Sequence, residues 1–307
     1  MGKSLKSRIY NAQCIGNVEP IEYMTPYPSM RSLIEGQTIK FSNQLLIEKP
    51  KITNQDFYKF VNQTSNWLED SGVKPKQRII LPILKFPQSE ILLYGIWNLG
   101  AIAVLPCNTD IHKIKRICNA KQIKIKDSDL LNKIEGYPKT HNPKYKPLLD
   151  DEAVLSFEKE FGILLSHYNL LINVNGIRKA LELKSQTRYK CDLLPSTTSW
   201  VVLQAILPIY SGCVYAHSKP EMTIGLSGNH YNLRDDLNNI KKFSKTDIAL
   251  CTENTAVLSI GKNPIHLTDY NIINNKLKIK GHSVMMGYLK NSQNENSFQN
   301  DSLVITI

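Results

Sequence analysis

Strand-like apolar runs alternate with helix-like amphipathic runs through residues 53–125, and this alternation constrains the fold more than any other feature. The first helix is predicted from Thr53 to Gly72. Thr53 can cap its N-terminus, Asp56 completes a capping-box spacing, and Gly72 is a typical helix stop. Phenylalanine, valine, tryptophan and leucine side chains recur on one face of this segment, so we expect that face to be buried.

A series of shorter strands and helices follows this helix. Such alternation favours a mostly parallel sheet with helices on both faces, because parallel strands need a crossover between them. The predicted fold class is therefore α/β. The predicted elements are a strand at 78–83, a helix at 88–99, a strand at 102–105, a helix begun by Asp110 with Ile111, Ile114 and Ile117 on one side, and a strand at 122–125.

Residues 136–147 contain three prolines and scattered lysines, which predict a surface linker and a boundary between two units. Beyond the linker, Ser166 is expected to begin a helix with its leucines facing inward. Residues 219–245 have no clear period and are predicted to form either a long loop or the remnant of a larger segment. Short β-type runs separated by turn residues at 256–287 predict an antiparallel segment.

The net charge of +11 and the isoelectric point near 9.2 are compatible with an anionic partner. The lysines are scattered and form no block, so we expect no nucleic acid partner. The six cysteines form no C-x-x-C pair, which argues against a zinc ribbon and favours reduced thiols in a cytoplasmic protein. The N-terminus carries no apolar secretion signal. The apolar stretches 91–107 and 200–216 are interrupted by polar residues, glycine and proline, so each predicts a buried helix and strand rather than a membrane span.

Five segments carry motifs in a fixed order. Residues 67–80 contain WLEDSGVKPKQRII, residues 94–108 contain YGIWNLGAIAVLPCN, and residues 165–171 contain LSHYNLL. Residues 252–254 contain TEN, and residues 278–291 contain KIKGHSVMMGYLKN. These segments resemble, in the same order, the L-x-x-x-G-V-x-x-G-D-R-V, A-x-x-x-G-A-x-x-x-P-L-N, L-[ST]-H-x-N-L, T-E and G-x-x-V-M-x-G-Y motifs of the AMP-forming acyl-CoA synthetases, which belong to the adenylate-forming ligases.

The resemblance implies the large N-terminal domain of that family, with stacked αβα subdomains and a short antiparallel β segment. It implies ATP-driven adenylation of a carboxylic or fatty acid and transfer to CoA, with ATP, Mg²⁺ and CoA as cofactors. The expected units are a subdomain at 1–145, a shortened subdomain at 146–260 and a β segment at 261–307. The sequence reaches Ile307 just before the family's T-G-D, so we expect the small C-terminal domain to be absent.

The phosphate loop of the family, T-S-G-[ST]-T-G-x-P-K-G, supplies backbone N–H groups to ATP. Residues 156–162 read SFEKEFG in its place, so Gly162 is the one residue of this loop that remains and to which the resemblance gives nucleotide contact. Glu158 and Glu160 place two carboxylates where phosphates would approach, and like charges repel. We therefore expect weak or no ATP binding.

The resemblance implies phosphate contact for Thr252 and Mg²⁺ binding for Glu253. Residues 249–250 lack the aromatic residue and glycine that precede this pair in the family, so adenine would lose its stacking partner. A solvated Thr-Glu pair at a strand end is the alternative. Residues 194–198 are similar to L-P-x-x-H with threonine in the histidine's place. His167 is expected to cap and pack, and no catalytic residue is assigned.

Four hypotheses remain open from the sequence. The first is a degenerate ligase homologue, inactive alone, that binds an acyl group, CoA or a full-length ligase partner. The second is a working ligase that uses an unusual loop and a C-terminal domain from another chain. The third is a basic, non-enzymatic interaction protein, and the fourth is a decayed product that hardly folds because unpaired strand edges aggregate.

Overall fold

The computed structural model describes residues 3–23, 25–125 and 129–307. In these ranges a π-helix covers Trp200–Ile206 and leads directly into an α-helix at Leu207–Ser211. Two 3-10 helices cover Leu237–Lys242 and Thr252–Asn254. The α-helices of the described ranges are α1 (Leu5–Gln13), α2 (Met30–Phe41), α3 (Asn54–Asp70), α4 (Gln88–Asn98), α5 (Ile111–Cys118), α6 (Leu130–Ile134), α7 (His167–Ala180), α8 (Leu207–Ser211) and α9 (Asn291–Ser297).

The strands of the described residues form three sheets. In chain order they are β1 (Leu45–Ile47), β2 (Ile52–Thr53), β3 (Arg78–Ile80), β4 (Ile102–Leu105), β5 (Lys121–Gln122), β6 (Glu152–Ser156), β7 (Ile163–Ser166), β8 (Arg188–Cys191), β9 (Val214–Tyr215), β10 (Met222–Gly225), β11 (Tyr231–Arg234), β12 (Asp247–Leu250), β13 (Val257–Ile260), β14 (Asn263–Pro264), β15 (Thr268–Ile273), β16 (Lys276–Gly281), β17 (Gly287–Tyr288), β18 (Phe298–Gln299) and β19 (Ser302–Thr306).

The first sheet has the order β17-β7-β6-β4-β3-β5, and β3 to β6 run parallel. Successive strand side chains point to opposite faces, so two separate cores form. Ile79 and Ala103 join the larger core, to which α4 also contributes. Ile80 and Val104 instead pack with Ile114 of α5. Helices therefore cover both faces of this sheet, as the α/β prediction requires.

The second sheet has the order β14-β13-β12-β11-β10-β8-β9-β1-β2 and is parallel from β12 to β1. Its strand β1 lies before the first sheet in the chain and pairs through Ile47 with Tyr215 of β9. Conversely, β6 and β7 follow residue 145 but belong to the first sheet. Each of the two larger sheets therefore contains strands from both sides of residue 145. The division into subdomains at 1–145 and 146–260 stays a prediction.

The third sheet is antiparallel, in the order β15-β16-β19-β18, and it confirms the expected C-terminal β segment. Helix α1 packs beside it, and the Arg8 guanidinium donates to the carbonyl of Phe298 at 2.7 Å. The N-terminal helix and the last strands therefore form one unit around the buried side chains of Leu277, Ile279 and Phe298.

The π-helix ends next to Pro208, at the start of α8. The N–H of Leu207 donates to the carbonyl of Val202, five residues back, and Pro208 has no N–H for the carbonyl of Leu203. Wide turns of this kind are rare and leave carbonyls in need of other donors. Tyrosine hydroxyls from three other elements supply them. Tyr189, Tyr215 and Tyr94 donate to the carbonyls of Leu203, Gln204 and Ala205 at 2.6, 2.5 and 3.3 Å, respectively.

A buried carboxyl group joins α4 to the π-helix. Glu90 is 1% exposed, and its Oε1 accepts from Trp200 Nε1 at 3.0 Å and from Gln204 Nε2 at 2.8 Å. Its Oε2 has no hydrogen-bond partner within the described ranges. Burial raises the pKa of Glu90. Burial at this contact between α4 and the π-helix therefore disfavours the ionised carboxylate relative to the same group in water.

Most predicted elements are present. Helix α3 begins after Thr53, whose hydroxyl accepts from the Asp56 N–H at 3.1 Å, and Ser166 caps α7. Three expectations were wrong. The strand at 122–125 shortens to β5, Ile117 is 44% exposed instead of facing inward, and residues 219–245 contain β10, β11 and a 3-10 helix rather than a long loop.

The six cysteines are all free thiols. Within the described residues, no helix combines the length and the apolar character that crossing a bilayer requires.

Candidate functional site

A cavity of about 510 Å³ lies where the two larger sheets meet, beyond the carboxyl ends of β6, β8, β11 and β12. The turn after β6, the 194–198 segment and the Thr252-Glu253 pair all contribute to it, so segments singled out in the sequence converge here. Ile305 and Ile307 of the C-terminal strand region close one side. Its apolar wall consists of Leu193, Leu194, Leu226, Leu233, Leu237 and Leu250.

The turn between β6 and β7 spans residues 157–162 and is held by bonds within the protein. The Phe157 N–H donates to the Leu105 carbonyl at 2.9 Å, and the Gly162 N–H donates to the Lys159 carbonyl at 3.0 Å. The Glu158 N–H donates to Ser156 Oγ at 3.3 Å. Three of the turn's amides are therefore already bonded and are not directed at a ligand.

Gly162 serves the turn rather than the cavity. Its φ of +66° lies in the left-handed region that favours glycine. A Cβ there would stand 3.2 Å from the Leu155 side chain and 3.3 Å from the Leu289 side chain. Leu289, which directly follows β17, is held close because its N–H donates to the Gly162 carbonyl. The residue does not line the cavity. Its nucleotide-binding role stays a prediction without a contact to support it.

The Glu158 carboxylate points into the cavity and binds three donors. Its Oε1 accepts from the Thr198 N–H at 2.6 Å and from Ser156 Oγ at 3.1 Å. Its Oε2 accepts from Thr252 Oγ1 at 3.3 Å. The sequence identified Glu158 as a charge that repels phosphate, but it gave no sign that the carboxylate would be bonded to Thr198. Glu160, which received the same interpretation, is exposed and does not line the cavity.

Glu253 lies beside Thr252 but faces inward. It is 4% exposed, and its Oε1 accepts from the Tyr288 hydroxyl at 3.2 Å. Burial, reinforced by the nearby Glu253 carboxylate, raises the pKa of the Tyr288 hydroxyl. The neighbouring thiol of Cys251 is 3.8 Å from Oε2. Among the described residues, no group of three or more acidic, histidine or cysteine side chains is placed to hold a metal ion.

The residues present do not fit ATP with Mg²⁺. Mg²⁺ prefers several oxygen ligands in octahedral geometry, whereas the oxygens of Glu253 face a phenol and a thiol. The three donors suited to a phosphate are bonded to Glu158. Asp235 and Asp236 add two further carboxylates at the cavity, against the single lysine Lys159. The cavity is thus acidic although the chain is basic, which opposes a polyphosphate.

His167 packs, as expected, but it does not cap. Ser166 is the capping residue of α7, and His167 is the first residue inside the helix. Its Nδ1 accepts from the Met30 N–H at 3.3 Å, and its ring meets Trp97 with 6.4 Å between centroids. Burial lowers the pKa of His167 to about 4, so the ring is neutral at pH 7. It does not line the cavity that holds Thr252.

No protein-family model matches the sequence, and no curated protein matches it either. Solved structures do match the fold. An anthranilate CoA ligase in complex with anthranoyl-AMP has a TM-score of 0.73 at 16% identity, over 92% of this chain and 74% of the ligase chain. The o-succinylbenzoate CoA synthetase from Bacillus subtilis, in complex with its acyl-adenylate intermediate, has a TM-score of 0.70 at 14% identity, over 89% of this chain and 94% of the synthetase.

A third match is the McyG A-PCP structure complexed with phenylalanyl-adenylate, with a TM-score of 0.70 at 16% identity over 95% of this chain and 64% of the other. The matches extend over both larger sheets, since each covers about nine-tenths of the chain or more. The chain therefore has the α/β fold of the adenylate-forming ligases, with stacked αβα subdomains and a C-terminal antiparallel sheet.

Proposed function

We propose that the chain is a divergent member of the AMP-forming acyl-CoA synthetase family that binds an acyl group in the cavity but does not adenylate an acid by itself. In this proposal the protein is a pseudoenzyme that acts on the ligands of fatty acid metabolism. It works as an acyl or acyl-CoA binding protein, or as the partner of a full-length ligase. Its six free thiols are compatible with the cytoplasmic location expected from the sequence.

The observation that carries the proposal is the closed turn at 157–162. Adenylation needs backbone donors placed around the phosphates. Here the amides of Phe157, Glu158 and Gly162 are bonded within the protein, and the Glu158 carboxylate takes the donors across the cavity. A triphosphate would have to displace this carboxylate and remain close to other acidic groups. Loss of adenylation follows from that arrangement.

The leucine wall supports retention of an acyl site. A ligand cavity is mostly apolar with a few polar groups that orient the ligand. Leu194 is 59% exposed and Leu226 is 72% exposed, and both line the cavity at its mouth. An acyl chain or aryl ring laid against them would remove apolar surface from water, at about 25 cal/mol per Å² buried. In an acyl-CoA ligand the thioester group is uncharged and suits the acidic interior better than a free carboxylate does, and the phosphates of CoA would then lie outside the cavity.

The decisive experiment is pyrophosphate release from ATP and Mg²⁺ with aryl, short-chain and long-chain acids. We expect no release above that of heat-treated protein. Release that depends on the acid and disappears in Glu253→Ala would refute the loss of adenylation and would favour a working ligase with an unusual loop.

Acyl binding is tested separately by calorimetry with acyl-CoA thioesters of increasing chain length, and with CoA alone. We expect affinity to rise with chain length. Leu226→Asp should weaken binding at least about tenfold, since it places a charge on the apolar wall. Ile39→Asp is the matched control, because Ile39 is 81% exposed and lies on α2, away from the cavity. Equal loss in both variants, or affinity that does not change with chain length, would refute acyl binding at this wall.

A further inference from the structure

The three groups that bind Glu158 come from three separate parts of the chain. Ser156 ends β6 of the first sheet, Thr198 precedes the π-helix, and Thr252 follows β12 of the second sheet. Ser156 and Thr198 are buried, at 0% and 1% exposure, so these donors are fixed by their surroundings. Such an arrangement of one N–H and two hydroxyls, with no positive side chain among them, is suited to the oxygens of an anion.

Among the described residues, the Glu158 carboxylate is held by these donors alone. The two residues that follow it, Lys159 and Glu160, face solvent. In the described part of the chain, no lysine or arginine forms an ion pair with it. A carboxylate in this position accepts the same hydrogen bonds that two oxygens of a phosphate group would accept. Its bond to the Thr198 N–H, at 2.6 Å, is the shortest of the three.

We propose that Glu158 is a built-in occupant of an oxyanion site formed by Ser156, Thr198 and Thr252, and that it excludes phosphate groups from this site by binding its donors. The inference rests on the proposed function, because it supplies the reason why the cavity does not accept a nucleotide. Removing the side chain opens a site for an inorganic oxyanion. Lys159 then remains as the charged side chain of the turn that lines the cavity.

The test compares pyrophosphate binding by isothermal calorimetry in the unaltered protein and in Glu158→Ala. Glu160→Ala is the control, because it removes the same charge two residues along the turn from a side chain outside the cavity. We expect Glu158→Ala to bind pyrophosphate at least about tenfold more tightly than either comparison, since it frees three donors and removes one like charge. Thr252→Val in the Glu158→Ala background should reverse part of this gain.

Glu158 also links the two larger sheets, so its removal can affect folding. If Glu158→Ala does not give a cooperative thermal transition, Glu158→Ser decides, because the shorter side chain keeps a polar group on the turn, removes the charge and withdraws the acceptor oxygens from Thr198 and Thr252. Glu160→Ser is then the control. A folded variant of Glu158 that binds pyrophosphate no better than its Glu160 control overturns the proposal, and so does an equal gain in both.

These outcomes are distinct from a failure of the proposed function. Pyrophosphate release by the unaltered protein that depends on an added carboxylic acid would refute the proposal that the protein is a pseudoenzyme. Equal pyrophosphate affinity in the unaltered protein and Glu158→Ala, with no turnover in either, would refute the proposed exclusion of phosphate by Glu158. It would not contradict the proposal that the protein is a pseudoenzyme.

Discussion

Glu90 predicts an unusual dependence of stability on pH, and Glu90→Gln tests it. The carboxyl group is 1% exposed, accepts two hydrogen bonds through Oε1 and has no partner for Oε2 among the described residues. Burial raises the pKa of Glu90 above its ordinary value of 4.5. The folded protein therefore keeps a proton that the unfolded chain loses as the pH rises.

The sign and the size of the effect follow from this difference. Above the ordinary pKa of 4.5, the unfolded chain has released the proton and the folded protein still binds it. The free energy of unfolding then falls by about 1.4 kcal/mol for each pH unit, until the pH exceeds the pKa of the folded state. Glu90→Gln removes this term. The amide still accepts from Trp200 and Gln204 but places two N–H donors where the protonated carboxyl group places one O–H. No acceptor stands there among the described residues, so the additional unbonded donor costs about 1–3 kcal/mol.

The assay is urea unfolding followed by tryptophan fluorescence at pH values from 4 to 8. We expect Glu90→Gln to be the less stable protein near pH 4 and the difference to shrink, and then to reverse, as the pH rises. Glu160→Gln is the matched control, since Glu160 is exposed, and its curve should run parallel to that of the unaltered protein. A constant difference between Glu90→Gln and the unaltered protein over the whole range would refute a protonated Glu90.

Three other substitutions probe the fold. Asn169→Ala should lower the free energy of unfolding by about 2–4 kcal/mol, because the Asn169 side chain bonds the Ser166 N–H and two carbonyls after β16. Ser166→Ala should lower it by only about 1 kcal/mol, through loss of the helix cap. Equal losses in urea unfolding would contradict this ordering. Gly95→Ala should lower the melting temperature, since its Cβ would stand 2.4 Å from a Thr64 methyl, and Thr64→Ser should recover part of the loss. Tyr189→Phe should cost about 1–3 kcal/mol by leaving a π-helix carbonyl unbonded, and an unchanged urea midpoint would argue against the role of that hydroxyl.

Local signals in the sequence were sufficient for the parts of the fold that depend on neighbouring residues. The Thr53 cap, the Ser166 cap and the antiparallel segment after residue 256 all depend on contacts within a few positions or within one hairpin. The fold of the adenylate-forming ligases was recognised from five short motifs in order, and the solved structures confirm it. Neither a family model nor a curated protein matches, and identity to the three solved structures described above is 14–16%.

Long-range pairings could not be predicted in this way. The sequence places Glu158 in a shortened loop, but its bond to Thr198 depends on how two sheets pack. Likewise, Glu90 occupies one position in an apolar helix, and its environment is fixed by the π-helix. The weak pattern at 219–245 conceals β10 and β11, because each strand is only four residues long. Strands this short carry little periodicity of their own.

The pairing of β1 with β9 has a consequence for biosynthesis. Ile47 finds its partner Tyr215 only after most of the protein has been made, so β1 stays without this partner while β3 to β7 of the first sheet are synthesised. Pairings between distant residues are slow to form, and chains emerge from the ribosome N-terminus first. Nascent protein arrested before residue 215 should thus present β1 as an open edge available to chaperones, and pairing of that edge would mark the addition of β9 to the second sheet.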